Sequence, residues 1–315
     1  MAATQHIRCD LLVIGCGIAG AAAAIKAADA GLHVVVTTKE DELLETNTRW
    51  AQGGIIGTGP DDTADLLYAD VMRAGAELNN PHAVRIFCEE GPRQVDTFLV
   101  NRLKVPFSRD KRGRILHTAE AAHSRRRIYF KEDRTGYAIH VACIKAMKAH
   151  RRIRLLPGHM AVDITTLPHH STDPLDIYQP LRAVGAYVLE LRTGRVLTVL
   201  APKTVLATGG MGHIYLHSTN PTGATGDGFA MAYRAGARCI NMEYVQFHPT
   251  TLHHVSAPGF LITEAVRGEG AKLRNLRGEY FMARYDSRAD LAPRDIVARS
   301  IYAEISAHKE SYVLL

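Results

Sequence analysis

No apolar run in this 315-residue chain approaches the roughly 20 residues that a membrane-spanning helix requires, so no bilayer span is expected. The first residues, MAATQHIRCD, lack a charged head followed by an apolar core, so no secretory leader is expected either. Cysteine is sparse: Cys9, Cys16, Cys88, Cys143 and Cys239 are scattered and odd in number. That spacing excludes a disulfide framework and a cysteine metal module, and fits a reducing, cytoplasmic compartment. Internal repeats and low-complexity segments are absent as well.

The apolar share of 46% and charged share of 22% are those of a soluble globular protein. The length corresponds to about two domains. The net charge is +6, and much of the surplus is local, at Arg125-Arg126-Arg127 and from Lys148 to Arg154. No aromatic-rich sheet motif, zinc module or helix-turn-helix pattern accompanies it, so nucleic acid is not an expected partner. A solvated helix face and sites for small anions account for the charge. The sixteen histidines include His169-His170 and His253-His254. Adjacent residues on one segment usually point apart, so these read as solvated loop residues, and no metal site is expected.

What is present near the start is a βαβ unit. CDLLVIG (Cys9 to Gly15) is an apolar run closed by glycine, as a buried parallel strand should be. Ile18 to Ala30 is alanine-rich and helix-forming, and Gly31 ends it. HVVVTT (His33 to Thr38) is β-branched and reads as the second strand. Helical patterns follow at 64–74, 82–101 and 138–149, and RIRLLP (Arg152 to Pro157) reads as a short strand. AVDITTL, VGAYVLEL and RVLTVLAPKTVLATGG have hairpin-like spacing, so an inserted antiparallel section is expected. Leu167 to Pro180 reads as an exposed loop and Asp227 to Ala237 as a helix. Beyond Asn241 the pattern turns irregular, which places a domain boundary between residues 1–241 and 242–315. The closing SYVLL reads as a strand beginning, and the chain looks cut there.

GCGIAG (Gly15 to Gly20) matches the dinucleotide fingerprint in its proper context, between strand and helix. Gly15 serves the tight turn, Gly17 the approach of a pyrophosphate, and Gly20 the packing of helix on strand. The helix N-terminus offers unpaired N–H groups and a positive dipole end. The acidic residue that usually ends the second strand of an NAD site is missing, and Thr37-Thr38-Lys39 stands there instead.

From Thr38-Lys39 and TxxAQGG (Thr48 to Gly54) onward, the sequence resembles the succinate dehydrogenase and fumarate reductase flavoprotein superfamily, whose members bind FAD and include the L-aspartate oxidases. The resemblance continues through HSRRRI (His123 to Ile128), DRTG (Asp133 to Gly136), VLATGG (Val205 to Gly210), TNPTGATGDG (Thr219 to Gly228), QFHPT (Gln246 to Thr250), LITEAVRGEGA (Leu261 to Ala271) and LAPRDIVAR (Leu291 to Arg299). It covers nearly the whole chain in order. It implies an α/β fold: a Rossmann-like FAD-binding domain with a parallel sheet and an inserted antiparallel section, then the start of an α+β capping domain. Complete members continue well past this length, so the resemblance also implies a truncated chain that is unstable or inactive alone.

By the same resemblance FAD is held by Gly15, Gly17, Ala19, Gly20, Thr38, Lys39, Thr46, Asn47, Ala51, Gln52, Gly53, Gly54, Ala161, Val162, Ala207, Thr208, Gly209, Asn220 and Asp227. Respiratory members bond FAD covalently to a histidine five residues before the AQGG glutamine. Asn47 occupies that position, and an amide nitrogen is not nucleophilic enough, so non-covalent FAD is expected. Glu120, just before HSRRRI, corresponds to a glutamate of the L-aspartate oxidases. L-aspartate is succinate with an α-ammonium group, so a facing carboxylate would select it.

His248 resembles the histidine that holds a substrate carboxylate, and Thr263 and Glu264 its carboxylate-binding and charge-balancing neighbours. Arg294 resembles the arginine that moves a proton at the substrate carbon. Arg267 and Arg299 are expected in structural salt bridges. The implied reaction is dehydrogenation of L-aspartate to iminoaspartate, with oxygen or fumarate as acceptor. It is the first step of bacterial NAD biosynthesis, with quinolinate synthase as a possible pathway partner. A soluble fumarate reductase or succinate dehydrogenase flavoprotein, and a non-catalytic fragment, stay open as alternatives.

Overall fold

The structure, a computed structural model, describes residues 6–119, 123–257 and 259–315. β1 (His6–Arg8) precedes β2 (Leu11–Ile14), all of whose residues are buried. Leu11 and Val13 enter one core while Leu12 and Ile14 enter another, the period of two expected of a strand covered on both faces. α1 (Ile18–Asp29) is rich in alanine, which lets it lie close to the sheet; Ala21, Ala24, Ile25 and Ala28 form its buried stripe. Gly31, at φ +96°, turns the chain into β3 (Val34–Thr37), again buried throughout. β2 and β3 pair in parallel from Leu11↔Val34 to Ile14↔Thr37.

The next segment carries α2 (Asn47–Trp50), β4 (Ile55–Ile56), α3 (Ala64–Ala74) and α4 (Pro81–Gln94). The helix expected over 82–101 is thus split. Pro92 lies inside α4, and the chain continues as a wider π-helical stretch, Val95–Arg102. β5 (His117–Thr118) and β6 (Ile128–Tyr129) form a small antiparallel sheet with β4. α5 (Thr135–Ala149) starts three residues earlier than its apolar pattern, because its first turn is fixed by the loop before β4. β7 (Ile153–Leu156) then joins the parallel sheet beside β3.

β8 (His159–Leu167), β9 (Arg182–Glu190) and β10 (Arg195–Leu200) form the expected antiparallel section, with β1 parallel to β10 at its far edge. β11 (Lys203–Leu206) corrects the reading of RVLTVLAPKTVLATGG as part of that section. It returns to the first sheet and pairs in parallel with β2, Lys203↔Leu11 to Leu206↔Ile14. The two sheets share a core: Leu12, Ile14 and Val35 of one meet Ala161, Ile164, Val188 and Val199 of the other.

After α6 (Asp227–Arg234) the chain is mostly irregular through α7 (Ala265–Gly268) to α8 (Arg294–His308). A separate apolar cluster of Leu273, Phe281, Met282, Ala292, Val297 and Ile301 holds this part. The strand expected at SYVLL is a lone bridge between Leu314 and Arg274. Among the described residues no helix is long and apolar enough to cross a membrane.

Candidate active site

The turn after β2 is shaped by its three glycines, each differently. Gly15 has φ +106°, and a Cβ there would overlap the Ala207 carbonyl oxygen of the neighbouring strand's exit. A Cβ on Gly20 would overlap the Gly15 carbonyl oxygen, so α1 can lie on the turn only with glycine there. At Gly17 a Cβ would meet only Thr48 Oγ1, at 3.2 Å. That glycine faces a cleft of about 270 Å³ bordered by Ala19, Thr38, Lys39, Thr46, Asn47, Ala161, Ala207, Thr208, Gly209 and Asp227. Among the described residues the N-terminus of α1 has no side-chain cap and no acidic residue in its first turn, and Ile18 N–H donates to Thr48 Oγ1 at 3.0 Å. Such an end favours anionic groups.

The cleft's opposite wall is a charged latch. Lys39 Nζ donates to Asp227 Oδ2 at 2.5 Å and to Thr225 Oγ1 at 2.8 Å. Burial raises the Asp227 carboxyl pKa, but the bonds from Lys39 and Thr225 outweigh it and hold the group below its ordinary value. Glu40 and Glu45 also line the cleft, and no motif in the sequence marks either.

DRTG clamps the AQGG loop. Gly136 N–H donates to the Ala51 carbonyl at 2.9 Å and Thr135 Oγ1 to the Gly53 carbonyl at 2.7 Å. A Cβ on Gly136 would overlap the Thr48 carbonyl oxygen, which explains glycine there. His140, fully buried on α5, contacts Thr46 Oγ1 at 3.2 Å and the Cys16 carbonyl at 3.0 Å. Burial pushes its pKa down, so the ring stays neutral. Asn47 Nδ2 donates to Asn220 Oδ1 at 2.8 Å.

Ala51, Gln52, Gly53 and Gly54 line not this cleft but a second cavity of about 1560 Å³, together with Asn220, His248, Thr263, Glu264, Arg267 and Arg294. Gln52 Oε1 is buried there with no hydrogen-bond partner among the described residues. Two separated segments meet at this cavity because Thr251 bridges Leu261 and Ile262 N–H donates to the Thr250 carbonyl. This pairing sets His248 near Thr263 and Glu264. His248 Nδ1 lies 3.0 Å from the Thr250 carbonyl. Burial, aided by the Arg294 charge, lowers its pKa and keeps the ring neutral near pH 7.

Glu264 lies between two guanidinium groups. Arg294, the first residue of α8, donates through Nε to Glu264 Oε2 at 2.6 Å, and Arg267 Nη2 lies 3.8 Å from the same oxygen. Arg267 is in the salt bridge expected of it, and it is also part of the cavity wall. It is buried, borders the cavity and donates through Nη1 to the Asp290 carbonyl at 2.6 Å. Among the described residues Arg299 pairs with Asp295 one turn away, in an exposed salt bridge.

Two further expectations end differently, and a third falls on a residue outside those described. Val162 lies outside the cleft lining. The β8 register shifts between Ala161 and Asp163, which leaves Val162 exposed with its carbonyl accepting from Arg234 Nη2. Arg127 is no part of a surface basic patch, since it is fully buried against Asp62 and Asp70. Glu120 falls outside the described residues.

The family model for the FAD binding domain matches residues 10–315. L-aspartate oxidase 1 of Ralstonia nicotianae is 44% identical over 299 residues, 94% of this chain and 54% of that protein. L-aspartate oxidase of Pseudomonas aeruginosa is 42% identical over 315 residues, 96% and 56% respectively. The chain thus spans about half the length of the curated relatives it matches. Among solved structures, Mycobacterium smegmatis Sdh1 in complex with UQ1 superposes with a TM-score of 0.81 at 33% identity, over 98% of this chain and 51% of that one. The E. coli quinol fumarate reductase FrdA superposes with a TM-score of 0.84 at 26% identity, over 96% and 51%.

Proposed function

The chain belongs to the FAD binding domain family, and we propose that it serves the oxidation of L-aspartate to iminoaspartate, with oxygen or fumarate as electron acceptor. The observation that carries this reading is the convergence of His248, Thr263, Glu264 and Arg294 on the cavity bordered by the AQGG loop. The L-aspartate oxidases at 44% and 42% identity support the choice of substrate. A second reading, fumarate reduction, is favoured by the likeness to the quinol fumarate reductase.

The residues fit FAD. Gly17 leaves room at an uncapped helix N-terminus for a pyrophosphate, and Gln52 Oε1 is a buried acceptor at the flavin side. Ala19, Thr38, Lys39, Ala161, Thr208 and Gly209 would hold the nucleotide, and Ala51 to Gly54 the ring system. When bound, the flavin supplies a two-electron acceptor for the substrate's Cα–H bond.

His248 and Thr263 would bind one substrate carboxylate, the neutral ring donating from Nε2 without adding charge while its Nδ1 accepts from Thr250 N–H at 3.3 Å. Glu264 offsets one of the two positive charges of Arg294 and Arg267, so the cavity stays net positive toward a dianion. Arg294 would take the proton that leaves the substrate, with Glu264 Oε2 as the acceptor through which it passes on. A guanidinium is ordinarily a fixed cation, so this role requires that carboxylate at 2.6 Å. Glu120 would pair with the α-ammonium. We place a division between residues 1–241 and 242–315, supported by the separate core of the latter. We place the protein in the cytoplasm, with quinolinate synthase as a pathway partner.

Two outcomes test this reading. FAD should be non-covalent, because Asn47 has an unreactive amide already bonded to Asn220. Acid precipitation should leave yellow flavin in the supernatant, and flavin in the pellet would refute it. In the protein completed to the length of its curated relatives, Glu120→Gln should lower kcat/KM for L-aspartate by roughly a hundredfold, the equivalent of about 2–3 kcal/mol for a charge-assisted contact. Fumarate, lacking an ammonium, should lose far less. Equal losses for both substrates would remove Glu120 as the selector.

A further inference from the structure

Arg127 occupies the interior with no role so far in the chemistry. Its side chain is fully buried, and its Nε and Nη2 donate to the two oxygens of Asp62 at 2.7 Å each. Its Nη1 donates to Asp70 Oδ2 at 2.6 Å and lies 3.1 Å from His123 Nδ1. Burial works against the charge on Arg127, but the two aspartates more than offset it. Asp70 is tied down in turn, accepting from Ser124 N–H and Ser124 Oγ at 2.8 Å each. Burial alone would raise the Asp70 carboxyl, yet these bonds and Arg127 hold it below its ordinary value.

A guanidinium only donates. The contact with His123 therefore requires Nδ1 to be the acceptor, and the proton of the neutral ring must sit on Nε2. Arg127 cannot swing away, since its bidentate grip on Asp62 fixes the plane of the group. Asp70 fixes the backbone next to His123 through Ser124. Arg127 thus constrains both the place and the tautomer of a histidine that borders the large cavity.

We propose that His123 is a substrate-positioning residue, held as the Nε2–H tautomer by Arg127 and Asp70 so that it donates one hydrogen bond to a carboxylate of a dicarboxylate in the cavity. This rests on the dicarboxylate reading given above. A carboxylate only accepts. The opposite tautomer would present a bare lone pair to it and repel it. A neutral donor also suits a site that already contains Arg267 and Arg294, where another cation would be costly to bury.

The test uses the full chain loaded with FAD and labelled with 15N-histidine, at about pH 7.5, above the ordinary imidazole value. His123 is assigned by the signal lost in His123→Gln. Its Nδ1 should resonate as an unprotonated nitrogen and its Nε2 as a protonated one; a protonated Nδ1 overturns the proposal. Succinate is then titrated against the absorbance of the bound flavin. His123→Phe should weaken succinate by about tenfold or more while FAD affinity changes by less than about twofold. His123→Gln, whose amide keeps a donor near the Nε2 position, should recover most of the loss. Unchanged succinate affinity in His123→Phe overturns the assignment, and so does a parallel loss of FAD, which would make the ring a support for the cofactor site. If the unaltered chain binds FAD but no succinate, the dicarboxylate reading itself fails. If it binds succinate and the variants do too, only the role of His123 falls.

Discussion

In the protein completed to the length of its curated relatives, Arg294→Leu is expected to slow L-aspartate oxidation and fumarate reduction alike, by about 10²- to 10⁴-fold in kcat, the range of a positioned proton-transfer group. Proton transfer at the substrate carbon is common to both directions, so the loss should not depend on the α-ammonium. The position of Arg294 is unusual for a purely structural cation. It starts α8, where the helix dipole disfavours positive charge, and its offset is Glu264 at 2.6 Å. Its side chain retains 36% exposure and borders the cavity, so leucine should cost little stability. Measuring kcat and KM in both directions, beside a melting curve, separates the possibilities. A variant that loses only one reaction, or only KM, would take Arg294 out of proton transfer.

The two glycine variants Gly20→Val and Gly17→Val should fail in different ways. A Cβ at Gly20 would overlap the Gly15 carbonyl oxygen, and backbone cannot yield as a side chain can. The helix would have to leave the sheet, at a cost at or above the usual 1–3 kcal/mol of overpacking, roughly 3 kcal/mol here. Gly20→Val should therefore melt at lower temperature with or without FAD. At Gly17 the only neighbour of a Cβ is the Thr48 hydroxyl at 3.2 Å, so the fold should tolerate valine with a small shift of that side chain. The isopropyl group would instead stand where a pyrophosphate must approach, and FAD affinity should collapse. Flavin fluorescence titration and thermal melts give the contrast. Full FAD affinity in Gly17→Val would mean that the phosphates lie elsewhere.

The βαβ start was legible because its signals are local: LLVI and VVVT are buried on both faces, and alanine and Gly31 mark the helix between them. Partner choice was not. Lys203–Leu206 looks like the strand before it, but its ladder runs to residues 11–14, nearly two hundred positions upstream, and alternation says nothing about the partner. The same limit hid Asp62 and Asp70, which meet Arg127 from distant elements with no pattern linking them. Ala161 and Val162 show the finest grain of the problem. Both lie on one strand of the right segment, but a local register shift aims only Ala161 at the cleft. The motif residues of the large cavity came from family resemblance, and no periodicity in the chain brings QFHPT beside LITE; the short Thr251–Leu261 pairing does that.

The most direct test of the account is anaerobic reduction of the FAD-loaded protein, completed to the length of its curated relatives, by L-aspartate and by succinate, followed at the flavin absorbance maximum. L-aspartate should bleach the flavin. Succinate should perturb the spectrum through binding without bleaching it. Bleaching by succinate as fast as by L-aspartate, or no bleaching by L-aspartate, would contradict the proposed function.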